Sequence, residues 1–455
     1  MRSITALTRI LGVAFAVLLI WPWPSAEAIP AFARKYQTSC QTCHIAFPKL
    51  NPFGVAFRLR GYHLPDETED MIKERPIVLG APAYKRLWPS TVWPSDMPGT
   101  VPLSVSTIFS DVTQRTTEDG ESNTIKNDLH FPEEVSILSG GTLGESLSFF
   151  GEIVFASEPD GVGVELEHAQ VNFNGPFGSG HAFNVKVGRF RPELADTFSQ
   201  TSVLTSEGPA SIFGFSPIAA HGGSEVAGDE GSGIALPDSV DGMEAYGILD
   251  HRFFYSVGFS NGLGPGADSF DGNAEKDVFG KVAFKVGGLP FDGEGYVAGD
   301  KNWSELSLQL GAFVYQGYGR NVFFSGDEEG RLLEDRSFTR LGVDANLYMK
   351  DLNLIAGYVN GRDEIAEYLE EGPDVGKYIY STWFVEGDYV LLPWLQPAFR
   401  YEWLDPANKN APNFQRIVPH VTALIRANVK AYAEYQRNVE ESDDYALLAG
   451  MRLLF

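Results

Sequence analysis

Short segments in which apolar and polar residues alternate fill the chain from residue 101 to its last residue. Three examples are the segments 340–350, 395–403 and 429–436. Successive side chains of a β-strand point to opposite faces, so this alternation predicts strands with one apolar and one polar face. Each segment is about ten residues long, which is the length that a tilted strand needs to cross a bilayer.

Two architectures accommodate such strands. A soluble sandwich buries the apolar faces between two sheets, whereas a transmembrane barrel turns them toward lipid and keeps the polar faces in its lumen. Opposite charges on one polar face, such as Lys430 and Glu434, suit a wet interior, and tight turns such as 249–252 and 349–353 alternate with long polar loops. We therefore predict a mainly β fold, a transmembrane antiparallel β-barrel of about sixteen strands.

The last segment of the chain, YALLAGMRLLF, continues the pattern to the C-terminus. Its apolar face consists of Tyr445, Leu447, Ala449, Met451, Leu453 and Phe455. A terminal strand that closes on an aromatic residue resembles the C-terminal signal of outer-membrane β-barrels. The alternative is an ordinary last strand of a soluble sheet.

The N-terminus has the layout of a secretory signal peptide. Two early arginines precede the apolar run Ile10–Ile20, and Ala26–Ala28 forms an A-x-A cleavage triplet. The apolar run is too short to span a bilayer, which disfavours a membrane anchor. We expect residues 1–28 to be removed on export and predict the bacterial outer membrane as the destination.

The only two cysteines of the chain lie three residues apart, and a histidine follows the second. The spacing C-x-x-C-H is that of c-type haem attachment, in which two thiols bind the haem and the histidine binds its iron. We predict one covalent haem c on Cys40 and Cys43, with His44 as an axial ligand. A cytosolic redox pair is disfavoured by the export signal, and a small disulfide loop is the remaining alternative.

Four aromatic residues follow His44 within eighteen positions: Phe47, Phe53, Phe57 and Tyr62. Aromatic side chains bury a large apolar plate at little entropic cost, so these residues are predicted to line a haem pocket. The alternative is a small core without a cofactor. The sixth iron ligand is left open among His63, Met71, Met97, a barrel residue and no ligand at all. No catalytic residue is assigned.

A Pro- and Trp-rich segment at 88–103 marks a boundary, because its prolines prevent a helix and favour an extended linker. The predicted organisation is a signal peptide (1–28), a monohaem cytochrome c domain that plugs the barrel (29–96) and a porin-like barrel (97–455). The loop 195–242 is long and rich in Gly and Ser, and we expect it to be a lid or constriction over the pore.

The stretch from Ala33 to Tyr62 carries the pattern A-x-K-Y-x-x-x-C-x-x-C-H-x-x-x-P-x-L-N-x-F-G-x-x-F-x-x-x-G-Y. Followed by a barrel, it resembles the fused monohaem c-type cytochrome–porins, the outer-membrane iron-oxidising cytochromes. The segment Val185–Leu194 also resembles porins of the phosphate-selective type. The first resemblance implies oxidation of extracellular Fe(II), with electrons passed through the haem to a periplasmic cytochrome or copper protein.

The acidic balance fits this reading. The net charge is −25, which disfavours nucleic-acid binding. Clustered carboxylates raise the local concentration of cations, and the alternative for each single cluster is solvation and repulsion at the cell surface. Two other functions stay open: a conduit for another donor or for outward electron flow, and a passive porin with a structural or sensory haem. Analogy with porins predicts a homotrimer in outer-membrane lipid.

Overall fold

The computed structural model describes residues 30–65, 67, 71–73, 77–78, 96–97, 101–118, 121–143, 146–158, 161–195, 201–206, 236, 239–261, 275–297, 301–320, 322–324, 335–369, 372–405, 414–439 and 444–455. The predicted signal peptide and most of the predicted linker lie outside these residues. No helix in the described part of the chain has the length and apolar character needed to cross a membrane.

The described residues of the N-terminal segment form two short helices and two small antiparallel strand pairs. Its elements are α1 (Ala31–Tyr36), a 3₁₀ turn (Cys40–Thr42), β1 (His44–Ala46), β2 (Lys49–Leu50), α2 (Pro52–Leu59), β3 (Ile77–Val78) and β4 (Asp96–Met97). The Asn51 side chain caps α2 by accepting a hydrogen bond from the Gly54 amide at 2.8 Å. The backbone N–H groups of the first helical turn have no partner within the helix, so a proline there loses no helical hydrogen bond. The pair Asn51-Pro52 is therefore a strong signal for the start of a helix.

The remainder of the chain forms the barrel. Its strands are β5 (Leu103–Glu118), β6 (Glu121–Thr142), β7 (Leu147–Glu158), β8 (Gly161–Asn174), β9 (Asn184–Phe190), β10 (Val240–Leu249), β11 (Phe253–Ser260), β12 (Asp277–Gly287), β13 (Glu305–Arg320), β14 (Val322–Phe324), β15 (Asp335–Lys350), β16 (Leu352–Leu369), β17 (Gly372–Tyr389), β18 (Leu395–Asp405), β19 (Phe414–Arg426), β20 (Val429–Asn438) and β21 (Tyr445–Leu454).

Antiparallel pairing of β21 with β5 closes the ring. β13 pairs directly with β15, so the short β14 lies beside the ring and not within it. The described residues thus form a closed antiparallel barrel of 16 strands. This confirms the predicted fold class and strand number, and closure explains why the sheet leaves no edge unpaired.

The two faces of the barrel wall differ as the alternation predicts. On β15, Leu341 and Val343 are each 53% exposed, whereas Arg340 is fully buried and Asp344 is 4% exposed. Apolar side chains therefore point outward and polar side chains inward. Other exposed apolar side chains on the wall include Val162, Val164, Val257, Val278, Phe284, Leu306, Leu310 and Phe399. Buried charged side chains on the inner face include Lys186, Glu244, Lys281, Glu386, Arg400, Glu402, Lys430 and Glu434.

The N-terminal segment contacts the inner face of the barrel wall near the end of the barrel that holds the C-terminus. The Lys49 ammonium forms an ion pair with Asp388 near the end of β17 and donates to Asn353 Oδ1 at 2.9 Å. The Ala31 amide donates to Ser104 Oγ at 3.0 Å, near the start of β5. These contacts from two different elements fix the segment inside the wall.

Part of the long loop after β9 enters the lumen from the opposite end. The Leu204 amide donates to Glu386 at 2.6 Å, and the Ser206 hydroxyl donates to Glu434 at 2.7 Å. The Leu50 amide donates to the Thr201 carbonyl at 2.7 Å, so this loop meets the N-terminal segment. The described part of the predicted constriction thus lies within the barrel, and residues 207–235 lie outside the described residues.

Candidate functional site

A cavity of about 580 Å³ lies between the N-terminal segment and the barrel wall. Cys40, Cys43, His44 and other residues of the N-terminal segment line one part of it, and residues from β5 to β10, from the loop after β9 and from β21 line the rest. Its volume is in the range of cavities that hold cofactors, about 300 to 1,000 Å³. The cysteine motif therefore faces an internal space and not the outer surface.

Asn51 holds the loop that carries the cysteines. Its side-chain amide donates to the carbonyls of Gln41 and Thr42 at 3.1 and 3.0 Å, and its own backbone amide donates to the Cys43 carbonyl at 2.9 Å. Since the same side chain caps α2, one residue joins the cysteine loop to the helix behind it. This gives a physical reason for the asparagine within the sequence pattern.

Gly54 is needed where α2 packs against the same loop. A Cβ at this position would lie 2.0 Å from the Cys43 carbonyl oxygen, far inside van der Waals contact. Only glycine allows the helix to approach the loop this closely. The N-x-F-G part of the pattern thus describes how α2 supports the cysteine motif.

His44 has the hydrogen bonding expected of an imidazole that binds a metal. Its Nδ1 lies 3.0 Å from the Pro48 carbonyl oxygen, which can only accept, so Nδ1 carries the hydrogen and Nε2 keeps its lone pair. Burial lowers the pKa of His44 to about 4, and the charges of Arg452 and Lys430 act in the same direction. The ring is therefore neutral at pH 7.

Both cysteines are free thiols. Burial raises the pKa of Cys43 to about 12, and it raises the pKa of Cys40 as well. A disulfide between them is absent from the described structure, and both sulfurs belong to residues that line the cavity. The pair is thus present as two neutral thiols beside an internal space, which is the form that covalent haem attachment requires.

The four aromatic residues predicted for the pocket all line this cavity. Phe47 meets the His44 ring edge to face at 5.1 Å, and Phe53 stacks on Tyr296 at 4.0 Å. Phe57 and Tyr62 both contact Phe32; their ring centroids lie 5.3 and 5.0 Å from it. The set forms an apolar lining that is fixed by ring contacts rather than by backbone pairing alone.

Two of the three residues predicted as sixth-ligand candidates, His63 and Met71, lie outside the cavity lining. His63 is outside the cavity lining, and its Nδ1 lies 3.5 Å from Glu67 Oε2. Met71 is 38% exposed and is likewise outside the lining. Met97 pairs with Ile77 through its backbone, and its side chain lies outside the described residues. The structure therefore does not bring His63 or Met71 to the cavity.

Charged residues of the lining are locked into a buried network. Glu193, in a 3₁₀ turn (Glu193–Ala195), accepts from Arg58 at 2.6 Å and from Lys186 at 2.9 Å, and Lys186 also pairs with Glu244 at 2.9 Å. Burial alone would raise the pKa of Glu193, but the charges of Arg58 and Lys186 lower it well below its usual range. This network joins α2 to the wall.

The sequence reasoning did not single out the wall residues of the cavity. His168 lines it from β8, next to Glu167 and opposite Glu152 on β7. A signal for them exists in the sequence: the apolar positions shift from even numbers (Val164, Leu166) to odd numbers (Val171) across Glu167 and His168. Such a shift of parity marks a β-bulge.

No family model and no curated protein matches this sequence. Solved barrels resemble its structure. The OmpF complex of Salmonella typhi with daunomycin has a TM-score of 0.49 at 13% identity, with 78% of this chain and 97% of that chain covered. The anion-selective porin from Comamonas acidovorans has a TM-score of 0.47 at 14% identity, with 78% and 99% covered.

A trimer form of Vibrio cholerae OmpT has a TM-score of 0.46 at 13% identity, with 78% of this chain and 99% of that chain covered. Likenesses at this level say nothing about the activity of this chain. The fold assignment rests on the strand pairings themselves.

The residues present fit a covalent c-type haem. Two free thiols, one imidazole with a lone pair directed away from its backbone hydrogen bond, and four aromatic rings share one cavity of suitable size. Within the described residues, Arg452 lies over the Phe47 ring at 4.8 Å and provides a positive charge beside this end of the cavity. The arrangement suits a buried plate that carries acidic substituents.

Proposed function

We propose that this protein is an outer-membrane c-type cytochrome that carries electrons across the outer membrane. The donor is extracellular Fe(II), and the acceptor is a periplasmic cytochrome or copper protein. One observation carries the proposal: a C-x-x-C-H motif and four aromatic residues line a cavity inside a closed β-barrel. A pore protein that only passes solutes has no need of this motif at that place.

The outer face of the barrel supports a location in lipid. Exposed apolar side chains recur on strand after strand, and many charged side chains of the same strands are buried inside. A soluble protein rarely exposes so much contiguous apolar surface, whereas a barrel in a bilayer must expose it. An outer-membrane protein is exported, which agrees with the predicted signal peptide and with a c-type haem.

This chain would hold the haem with residues in distinct roles. Cys40 and Cys43 would form the thioether bonds, His44 Nε2 would bind the iron, and Pro48 would keep the imidazole in the required tautomer. When bound, the haem supplies a reversible one-electron carrier. The rings of Phe47, Phe57 and their neighbours would exclude water from it and would so favour electron exchange over side reactions.

The position of the site supports a path through the barrel. The N-terminal segment contacts the inner wall near the barrel end that holds the C-terminus, and residues 201–206 contact it from the opposite side. A cofactor in this cavity would lie between the two ends of the barrel. Oxidation at the cell surface has a physical benefit, because it keeps insoluble ferric products outside the cell.

The test uses the protein purified from outer membranes in detergent. Pyridine haemochrome analysis should find one covalent haem per chain, and Fe(II) added anaerobically should reduce it rapidly, as followed by its absorption bands. The variant Cys40→Ala/Cys43→Ala should lack covalent haem while retaining the barrel. A haem that is reduced only by dithionite would favour a structural or sensory role, and reduction by a different donor would replace Fe(II) in the proposal.

A further inference from the structure

A β-bulge turns two consecutive residues of β8 toward the cavity. Glu152 on β7 pairs with His168, but the next residue of β7, Ile153, pairs with Leu166, so Glu167 is the extra residue. Val164 is 65% exposed and Val171 is 37% exposed, although their positions differ by an odd number. Both Glu167 and His168 therefore point inward, where an unbroken strand would direct one of them to lipid.

The bulge creates a compact group of metal-binding side chains. The Nδ1 atom of His168 lies 3.6 Å from Glu152 Oε2 and 3.9 Å from Glu167 Oε1. One potential ligand atom from each residue lies within 4.8 Å of the others. Ligands bound to one metal at about 2.1 Å lie roughly 3 to 3.4 Å apart, so the three side chains would have to move together by up to roughly an ångström to bind one ion.

His168 has an unmet hydrogen-bonding requirement at the centre of this group. The residue is only 7% exposed, and its buried Nδ1 has no hydrogen-bond partner among the described residues. Phe150 contacts the imidazole edge to face at 5.6 Å and limits its rotation. A buried, unpaired ring nitrogen between two carboxylates is costly unless a proton or a cation satisfies it.

We propose that Glu152, Glu167 and His168 bind a divalent first-row transition-metal ion. One imidazole nitrogen and two carboxylates suit Fe(II), Mn(II) and Zn(II) better than they suit Ca(II) or Mg(II). Arg191 Nη2 lies 3.4 Å from Glu167 Oε1, and this positive charge would lower the affinity that two carboxylates alone would give. Moderate affinity suits an ion that must leave again.

This site would receive the iron that the proposed function oxidises, and in that respect the inference rests on the proposed function. All three residues line the cavity that Cys40, Cys43 and His44 line. One Fe(II) would lose one electron there and leave as Fe(III), and that electron would reduce the ferric haem to the ferrous state. The side chains of Glu152 and Glu167 are 13% and 25% exposed, which leaves the ion a route in.

Mn(II) is the probe for the test, because it binds similar ligands and its free form gives a distinct EPR signal. The purified holoprotein is titrated with Mn(II) in the His251→Ala background. That background removes a second cluster, His251, Asp292 and Glu294, which lies at a turn of the barrel. We expect one Mn(II) per chain that Fe(II) displaces anaerobically, and at least tenfold weaker binding in Glu152→Gln and in His168→Gln.

Glu134→Gln is the matched control. Glu134 lines the same cavity, and its substitution by Gln removes the same charge as Glu152→Gln does. Glu134 does not belong to the metal-binding cluster. Unchanged Mn(II) affinity in Glu152→Gln and His168→Gln, or equal weakening in Glu134→Gln, would overturn the proposal. A changed haem spin state in His168→Gln with unchanged Mn(II) binding would also overturn it, since His168 would then be an iron ligand of the haem.

Together, the Mn(II) titration and the reduction of the haem by Fe(II) test the metal site and the proposed function independently. Tight Mn(II) binding in a protein whose haem Fe(II) cannot reduce would leave the site intact and remove the electron-transfer function. Rapid haem reduction by Fe(II) without any Mn(II) site at these residues would do the reverse.

Discussion

Lys49 of the N-terminal segment forms an ion pair with Asp388 on the barrel wall, and both side chains are only 1% exposed. The two residues are 339 positions apart in the sequence. Lys49 also reaches Asn353 on the neighbouring strand, so one ammonium group joins the segment to two strands. This contact holds the cysteine loop at a defined place in the lumen.

Lys49→Ala should loosen the N-terminal segment while the barrel persists. Loss of the ammonium leaves the Asp388 charge buried without a partner, which typically costs about 3–5 kcal/mol. Hydrogen exchange of residues 30–65 should become much faster, whereas the wall strands keep their protection. Lys301→Ala is the control, because the Lys301 side chain is 64% exposed in its pair with Asp351. Equal exchange in both variants would show that the ion pair does not anchor the segment.

Gly54→Ala should abolish most covalent haem attachment. The added Cβ would lie 2.0 Å from the Cys43 carbonyl oxygen, so either α2 or the cysteine loop must move. Haem per chain, measured by pyridine haemochrome, is expected to fall several-fold. Gly151→Ala, whose Cβ would meet its nearest atom at 3.5 Å, should keep full haem content. Full loading in Gly54→Ala would contradict the close packing described here.

Glu67 should stabilise the N-terminal segment in a pH-dependent manner. Burial alone would raise the pKa of Glu67, but hydrogen bonds from His63 and Tyr36 and the charge of Lys35 lower it to about 2. A depressed folded pKa contributes stability that is fully present above the ordinary value of about 4.3 and is lost as the pH falls toward 2.

The variant Glu67→Gln tests this sign. The difference in thermal stability between it and the unaltered protein should be largest above about pH 5 and should shrink as the pH falls to 2. Glu294→Gln, at a 60% exposed side chain, serves as the control and should show a smaller effect. A difference that grows toward low pH would contradict the assigned sign.

A charge on the outer face should destabilise the barrel in a depth-dependent way. Val343 lies near the middle of β15 and is 53% exposed, whereas Met349 lies next to its end and is 41% exposed. Val343→Arg should cost about 2–4 kcal/mol in lipid and Met349→Arg about 0–1 kcal/mol. Folding titrations in lipid vesicles measure both, and equal costs would argue against a lipid-facing surface.

The sequence predicted the barrel because the requirement for it is local. Alternation of faces runs along the wall strands, as in the exposed Leu341 beside the buried Arg340, and it needs no knowledge of distant contacts. The aromatic lining of the cavity near His44 could also be predicted from the sequence, since Phe47, Phe53, Phe57 and Tyr62 are close to His44 in the chain. Residues of a site that lie within one short segment can be predicted from the sequence of that segment.

Contacts between residues that are far apart in the sequence could not be predicted in this way. Nothing in the sequence pairs Lys49 with Asp388, because strand order and register decide which inner-face residues meet the N-terminal segment. The same holds for His168, which β8 brings to the cavity although the motif lies more than a hundred residues earlier. The parity shift across Glu167 and His168 predicts a bulge, but not what the bulge faces.

Electron transfer from extracellular Fe(II) across the membrane is tested most directly in liposomes that enclose oxidised cytochrome c and carry this protein in their membrane. Fe(II) is added outside, and reduction of the enclosed cytochrome is followed by absorbance. We expect rapid reduction with the haem-bearing protein and almost none with the Cys40→Ala/Cys43→Ala barrel. Equal rates with both proteins would show that Fe(II) simply permeates, and no reduction with the haem-bearing protein would show that electrons do not cross; either result would contradict the account.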